Sequence, residues 1–446
     1  MRALASALVL ATIASVPWPA HAETRRLTVE DVVKLALKEN PRLQAARAQG
    51  RSGHELAYSA IGRMLPSIHL SEEYQHYDSV FNINFSIPGS PMAFPPIEAR
   101  KQDTNMFVAS ADQPLVELLG LSQTYLARKT GAEAGDAQVR SAEAQMREAI
   151  ETEYLRLFEA QALEQIAQAS EKLLNEQVTI ARAKLKAGVL TTADVLRVQV
   201  AAANTRQQGI VAHTQALTAR ATLLGAIGLP ADDTSVELVE PVTLLEAAKT
   251  PEPTFAPAEA EALAGRPELA QARLNAKSAH HQERARLFAL FPEVDAEGAY
   301  LRSDGQVFLP NDSAYVGVRA GWTIWEWGAS WFQRQAAKAQ AQAASFQVEE
   351  ERRQIGVEVQ SRLSEAEAAK SAVGLAMETI ASAEEAWRVT DAQVRAGAAT
   401  TTDLLDAESA LTQARLNLAR ARYEQAIAHV AVDRALGRTL GSSPRR

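Results

Sequence analysis

Several short stretches of the chain alternate apolar and polar residues with a period of two, which predicts β-strands with one apolar face. The clearest apolar sets are Val294, Ala296, Gly298 and Tyr300, and then Val316, Val318, Ala320, Trp322 and Ile324. Weaker sets occur earlier, at Ile68, Leu70 and Tyr74 and at Phe107, Ala109 and Ala111. The pattern therefore predicts four strands in two hairpins.

Most of the remaining chain carries apolar residues at spacings of three and four, which predicts long helices packed as coiled coils. A helix of about 67 residues is expected after each hairpin, over Leu121–Ala187 and over a counterpart ending at Ala396, each about 100 Å long. A return helix of about 34 residues follows, Asp403–Leu436 in the second case. A helix of roughly 23 residues, Arg42–Met64, precedes the first hairpin and ends against Pro66.

The same order of elements occurs twice because the chain is an internal duplication. Pro114–Gly228 aligns with Thr323–Gly437 at an offset of 209, and Pro41–Tyr74 aligns with Pro267–Tyr300 at an offset of 226. The difference of 17 residues (226 − 209) falls between Tyr74 and Pro114 and predicts an extra loop or hairpin. The predicted domains are a first repeat (23–230), a linker with little regular structure (231–257) and a second repeat (258–446).

Each long helix ends in a short segment that reverses the chain, AGVLTTAD at 187–194 and AGAATTTD at 396–403. Gly188 and Gly397 suit the left-handed residue that ends a helix. The Thr-x-x-Asp spacing after each glycine predicts a capping box at the start of each return helix. Those boxes pair Thr191 with Asp194 and Thr400 with Asp403. Helix capping is the simplest interpretation of both aspartates.

The amino terminus and the composition indicate where the protein works. Residues 1–22, MRALASALVLATIASVPWPAHA, have the basic start, apolar centre and small residues of a secretory signal peptide cleaved before Glu23. Its removal takes away Arg2 and changes the net charge from −8 to −9, which disfavours nucleic acid as a partner. The chain has no cysteine, which excludes disulfides and a lipid-modified cysteine. Without an apolar run of about 18 residues after the signal, any membrane crossing is expected to use strands.

Four of the six tryptophans lie where the last strand meets the second long helix. They are Trp322, Trp325, Trp327 and Trp331. Packing in a corner is one interpretation, and an aromatic girdle at a membrane interface is the interpretation that the alternating strand favours. His280 and His281 are adjacent, but no cluster of carboxylates or histidines completes a metal site. Since no phosphate loop, nucleophile elbow or zinc motif occurs, we expect no metal, no cofactor and no enzymatic activity.

Taken together, these motifs resemble the TolC-type outer-membrane efflux channel family. The resemblance rests on the segment LTVEDVVKLALKENPRLQAAR, the two reversal segments, and QPLVELLG and WTIWEWG at the junctions of strand and long helix. It covers nearly all of the mature chain. It implies a mainly α fold with a small β part, in which duplicated long coiled-coil hairpins and four β-strands form a trimeric α-barrel/β-barrel conduit in the outer membrane and periplasm.

The resemblance also implies a function. The chain would be a passive channel subunit of a tripartite efflux or type I secretion system, driven by an inner-membrane pump. Implied partners are two further copies in a homotrimer, a periplasmic adaptor, the pump and outer-membrane lipid. The alternative is a secreted coiled-coil structural or adhesin protein, which would share the long helices without needing the hairpins. Drugs, metal cations and proteins all remain open as cargo.

The resemblance places the adaptor on the two helical tips, at Gly188, Val189, Leu190, Thr191, Thr192, Gly397, Thr400 and Thr401. Family members close the periplasmic end with rings of aspartate, and the matching positions are Asp403 and Asp406. Asp194 and Arg197 are their counterparts in the first repeat. A solvated helix face is the alternative for Asp406. Since Val394 and Ala399 replace a polar lock found in some members, closure is expected to rely on helix packing, these carboxylates and a contact of Asp406 with Arg197.

Overall fold

The computed structural model describes residues 25–84, 89 and 95–438. The predicted signal peptide, residues 1–22, lies outside the described residues. The first half of the chain forms β1 (Arg25–Leu27), α1 (Val29–Glu39), α2 (Pro41–Gly62), β2 (Ser67–His76), β3 (Phe81–Ile83), β4 (Ile97–Pro114), α3 (Leu118–Lys186) and α4 (Thr192–Ala226). The second half forms β5 (Val236–Leu238), α5 (Val242–Ala247), α6 (Phe255–Gly265), α7 (Pro267–Phe288), β6 (Glu293–Gln306), β7 (Asp312–Gly321), α8 (Ala329–Arg395) and α9 (Thr401–Ala435).

The chain divides into two compact units. Of the described residues, the tip unit comprises 25–40, 147–251 and 367–430, and the sheet unit comprises 41–84, 89, 95–146, 252–366 and 431–438. The two long helices, α3 with 69 residues and α8 with 67, contribute to both units. The predicted long helices, their return helices and the helix before the first hairpin are confirmed within three residues at each end.

The sheet unit contains an antiparallel sheet in the order β2-β4-β6-β7, with β3 paired to the first residues of β4. The four predicted strands are confirmed, and within the described part of the first repeat's extra length β3 pairs with β4, as expected for the predicted hairpin. Cross-strand pairs run in rows, so Ile68 lies beside Ala111, Ala111 beside Gly298, and Gly298 beside Val316. One face of the sheet is therefore apolar across all four strands.

The last strand ends sooner than its apolar alternation predicted. β7 ends at Gly321, which pairs with Glu293, and the residue before Glu293 is Pro292, which has no N–H to extend the ladder. Trp322 and Ile324 were assigned to this strand, and that assignment is wrong. The Trp322 indole N–H instead donates to the Leu290 carbonyl oxygen at 3.3 Å.

In the tip unit, the coiled-coil seam is confirmed. Leu404, Leu411 and Leu418, spaced seven apart on α9, are all buried. Leu418 packs with Ala376 and Ala421, and the predicted heptad residues Val373 and Ile380 border this cluster. Burial of leucine against alanine at such spacing is what holds long, thin helices together in water.

The segment 231–257 holds more regular structure than its proline content suggested, so the prediction of little regular structure there was wrong. It contains β5, α5 and the start of α6. β5 pairs in parallel with β1, and the fully buried Tyr154 places its hydroxyl 3.0 Å from the Leu27 carbonyl oxygen and 2.6 Å from that of Val239. A three-residue strand shows no readable alternation, which is why the sequence concealed it.

Across the described part of the chain, no helix has both the length and the apolar character required to cross a membrane.

Candidate functional site

The first tip joins α3 to α4 through a left-handed glycine. Gly188 has a φ of 74°, a conformation that side chains other than glycine's adopt at a cost. Its N–H donates to the Leu185 carbonyl oxygen at 3.0 Å, and the Val189 N–H donates to that of Lys184 at 2.9 Å. These two bonds form a Schellman motif, which satisfies carbonyl groups that the helix end leaves open.

The second tip repeats this geometry between α8 and α9. Gly397 has a φ of 75°, its N–H donates to the Val394 carbonyl oxygen at 3.2 Å, and the Ala398 N–H donates to that of Gln393 at 2.8 Å. Both predicted glycine terminators are confirmed. Because each bond has its counterpart 209 residues away, the two tips are copies of one structure.

Both predicted capping boxes are present. The Asp194 N–H donates to the Thr191 hydroxyl at 3.2 Å, and the Thr191 N–H donates to the Asp194 carboxylate at 2.9 Å. In the second box, the Asp403 N–H donates to the Thr400 hydroxyl at 3.2 Å, and the Thr400 N–H donates to the Asp403 carboxylate at 2.7 Å. Hydrogen bonds from the side chain and backbone of each threonine hold the pKa of Asp194 and of Asp403 below its ordinary value. Both tips therefore present ionised carboxylates at neutral pH.

Arg197 links the two tips within one chain. Its guanidinium lies 3.8 Å from the Asp194 carboxylate and donates to the Thr402 hydroxyl at 3.2 Å. Asp406 lies exposed on α9, one turn beyond the capping box. Within the described chain, Arg197 therefore contacts Asp194 and Thr402. Its expected contact with Asp406 between hairpins is not among the described ion pairs and stays a prediction.

The predicted docking residues differ between the tips. Val189 is exposed, whereas Leu190 packs against the buried cluster that contains Val178, Val195 and Val198. The second tip carries Ala398 and Ala399 at the matching positions. The tips share a backbone but offer different side chains to a partner.

The tryptophans at the strand-to-helix junction are open to solvent in the single chain. The exposed fractions are 61% for Trp322, 74% for Trp325, 85% for Trp327 and 49% for Trp331. Trp327 has a φ of 55°, and its ring meets that of Trp325 edge-on at 5.8 Å between centroids. These rings thus contact one another and nearby residues but stay largely uncovered in one chain, and the membrane-interface girdle stays a prediction.

Sequence reasoning missed a buried ionic network in the sheet unit. The Arg266 side chain is 4% exposed, donates to Glu268 at 3.2 Å and also contacts Glu358. Arg434 contacts Glu358 as well and donates to Glu268 at 3.2 Å. No local signal reveals this set, because its members lie on α7, α8 and α9 and at the residue before α7.

The adjacent histidines contact residues of different helices, α3 and α8. His281 Nδ1 lies 2.9 Å from Gln123 Oε1, whereas His280 Nε2 lies 3.4 Å from the Ser345 hydroxyl. Within the described residues, no group of three or more histidine, cysteine, aspartate or glutamate side chains is arranged to hold a metal ion.

Comparison with known proteins adds a family and a fold. The model of the family described as outer membrane efflux protein matches residues 32–229 and 260–438. The outer membrane efflux protein BepC of Brucella suis biovar 1 (strain 1330) is 27% identical over 282 residues, which are 62% of this chain and 60% of that protein. The chain thus spans less than two thirds of that curated relative.

Solved structures share the fold over most of the chain. The outer-membrane channel OprN has a TM-score of 0.77 at 19% identity, with 92% of this chain and 90% of OprN covered. The outer membrane protein VceC of Vibrio cholerae has a TM-score of 0.76 at 18% identity, with 92% and 96% covered.

Proposed function

Because the chain belongs to the outer membrane efflux protein family, we propose that it is the outer-membrane channel subunit of a tripartite efflux or secretion system. Three copies would form one passive duct across the outer membrane and periplasm, without enzymatic activity. Family membership confirms the resemblance that the repeats indicated, and the shared fold of the solved channels confirms a mainly helical fold with a small β part.

The observation that supports this proposal best is the exposed apolar face of an open sheet. The side chains of Ile68 and Leu70 on β2 and of Val316 and Val318 on β7 are all at least 70% exposed. In the next row of the same face, two residues beyond Leu70 on β2, three of the four strands carry charged residues. These are Glu72, Arg302 and Asp312. A bounded apolar band of this kind suits a lipid layer.

The two edges of this sheet argue for more than one copy. β2 and β7 each have one paired neighbour within the chain and carry the apolar band to the edge. An open strand edge is costly in lipid because its N–H and C=O groups lack partners there. Pairing β7 of one copy with β2 of the next gives both of these edge strands a partner, and three copies of the order β2-β4-β6-β7 supply twelve strands, above the practical minimum of about eight.

Fractionation tests the proposal directly. Cells that express the full chain are separated into outer membrane, inner membrane and soluble periplasm, and the chain is followed by immunoblot. We expect an oligomer in the detergent-extracted outer membrane that falls to monomer on heating. A soluble, elongated species in the periplasm would overturn the proposal in favour of a coiled-coil stalk.

We further propose that a periplasmic adaptor docks on the two tips and that an inner-membrane pump acts through it. Replacing Gly397 with proline is expected to abolish export while the trimer still forms, because proline fixes φ near −65° and removes the N–H that Val394 accepts. Export is measured as resistance or secretion in cells lacking the native channel.

Gly397→Asn is the matched control, because asparagine tolerates the left-handed conformation and a Cβ atom there would have open space around it. Export close to wild type is expected for this variant. Undiminished export with Gly397→Pro would show that the shape of this tip does not matter for docking.

We propose that Asp403 and Asp406 line the constriction, with Asp194 and Arg197 beside it. Three copies bring six such carboxylates round one axis, and like charges in a narrow pore attract cations. Asp406→Ala is expected to lower cation selectivity, measured as the reversal potential under a salt gradient in a planar bilayer. Asp403→Ala should do the same and also loosen the start of α9, since Thr400 loses its capping partner.

Asp232→Ala, which removes an exposed carboxylate in the segment 231–257, serves as the control and should leave selectivity unchanged. Wild-type reversal potentials in both Asp403→Ala and Asp406→Ala would place the constriction elsewhere in the duct.

A further inference from the structure

A cavity of about 650 Å³ lies between α7 and α8 in the sheet unit. Its lining is strongly basic. Five basic side chains of α7 line it: Arg273, Lys277, His280, His281 and Arg284. Their spacing of four, three, one and three residues places them on one side of the helix. We call this cavity the α7–α8 groove.

The cations of the groove have few anionic partners. Among the ion pairs of the described residues, none involves Arg273, Lys277 or Arg284. Two carboxylates are nearby: Glu349 of α8 belongs to the lining, and Glu283 lies 3.9 Å from His280 Nδ1. Burial, and then the positive charges of Arg284, Lys277 and His280, lower the pKa of His281, as expected in a site of excess positive charge.

The duplication supplies an internal reference for this groove. In the first repeat, α2 and α3 take the places of α7 and α8. There Arg47 lies 2.7 Å from Glu143, and His54 lies 3.0 Å from Asp136. At the offset of 226, the two basic residues of these ion pairs correspond to Arg273 and His280, so both positions are also basic in the second repeat.

The two acidic residues of these ion pairs have no acidic counterparts in the second repeat. At the offset of 209, Glu143 is replaced by Arg352 and Asp136 by Ser345. Two further first-repeat residues, Glu55 and Tyr58, are replaced by His281 and Arg284. The second repeat has thus exchanged ion-paired positions for unpaired positive charge at the same place in the fold.

A count over nine equivalent positions shows the size of the change. The first-repeat positions are Arg47, Arg51, His54, Glu55, Ala57, Tyr58, Asp136, Arg140 and Glu143, with three cations and three anions. The second-repeat positions are Arg273, Lys277, His280, His281, Glu283, Arg284, Ser345, Glu349 and Arg352, with four cations and two anions. With histidines neutral the sums are 3 − 3 = 0 and 4 − 2 = +2, in a protein whose overall charge is −8.

We propose that the α7–α8 groove binds a small multivalent anion that carries phosphate groups. Arginine forks and a lysine ammonium are the usual donors to phosphate oxygens, and charge-assisted bonds of this kind are about twice as strong as neutral ones. The volume suits a small organic ligand, since such pockets span about 300–1,000 Å³. A free phosphate compound and a lipid headgroup offer the same chemistry, and the test separates them.

The test uses the full chain purified in a neutral detergent and phosphate-free buffer. Isothermal titration with inorganic pyrophosphate probes a free anion, and titration with short-chain phosphatidylglycerol below its micelle concentration probes a lipid headgroup. Saturable binding of either, weakened by added salt, is the expected result. Saturation by pyrophosphate assigns the site to free anions, and saturation by the lipid alone assigns it to headgroups.

Two variants locate the binding. Lys277→Gln/Arg284→Gln removes two of the cations and should weaken binding at least tenfold. Ser345→Asp leaves every cation in place but restores the carboxylate that pairs with histidine in the first repeat, so it should weaken binding similarly. Arg51→Gln removes the first-repeat counterpart of Lys277 and should bind like wild type.

Equal affinity of wild type and Ser345→Asp, or no saturable binding of either probe, would overturn the proposal. Binding only of an acidic segment of another protein would also overturn it. Binding is measured on purified protein without transport. A failure to bind anions would therefore leave the channel proposal unaffected, because fractionation tests that proposal separately.

Discussion

Arginine in place of both Val316 and Val318 is expected to prevent the chain from assembling in the outer membrane. These side chains are 92% and 70% exposed on the apolar face of β7. An arginine facing lipid near the membrane midplane costs about 2–4 kcal/mol per site, and three copies would carry six of them. The measurement is the amount of heat-sensitive oligomer in the detergent-extracted outer membrane, which should fall to background.

The opposite face of the same strand provides the control. Ser313 and Gly317 alternate with the two valines, and this face already carries Arg319 within 4 Å of Asp112, Asp295 and Glu297. Ser313→Arg/Gly317→Arg adds the same two charges there and should leave most of the oligomer intact. Normal assembly of the valine variant would mean that this face of the sheet does not meet lipid.

Loss of Arg266 is expected to cause the largest local destabilisation of the sheet unit. Arg266→Ala leaves the carboxylates of Glu268 and Glu358 without one of their two arginines. Removing one member of a buried ion pair typically costs about 3–5 kcal/mol. Hydrogen exchange of the first two turns of α7, followed by mass spectrometry, should show this loss as faster exchange.

A surface pair on α8 is the control for this experiment. Arg353 lies 3.0 Å from Glu350, and both side chains are more than half exposed. Arg353→Ala should leave exchange in α7 unchanged, since surface ion pairs contribute about 0–1 kcal/mol. Arg266→Met/Glu358→Met, which leaves Arg434 paired with Glu268, should cost less than Arg266→Ala. Unchanged exchange in Arg266→Ala would show that the network does not stabilise this helix.

The same network predicts a direction for pH dependence. Burial raises the pKa of Glu268, but hydrogen bonds from Arg266, from its own backbone and from Ser141 outweigh burial and lower it below 4.5. A carboxyl with a lowered pKa stabilises the folded state above its unfolded pKa and loses that contribution as pH falls. Protection of α7 should therefore hold above about pH 4.5 and decline below it in wild type, and this decline should be smaller in Arg266→Ala.

The parts of the fold that the sequence predicted are those with a long period or a repeated local motif. The long helices carry their heptads over many turns, and each tip is determined by a glycine, a threonine and an aspartate within seven residues, such as Gly188, Thr191 and Asp194. Duplication strengthened both signals, because each appears twice.

The features that the sequence did not reveal depend on contacts between residues that are far apart along the chain. β1 and β5 have three residues each and depend on each other and on Tyr154, which lies on α3. Arg266 and its partner Glu358 are 92 residues apart. At the tips, capping was predictable from spacing, whereas the proposed role of Asp406 at a constriction concerns an assembly that one chain does not contain.

Electron cryomicroscopy of the wild-type chain, extracted from the outer membrane into lipid nanodiscs, would show whether the chain assembles into a single duct. We expect three copies round one axis, with β7 of each copy paired to β2 of the next and one continuous lumen ending at the tips. A single copy, a different number of copies, or an assembly without a central lumen would contradict this expectation.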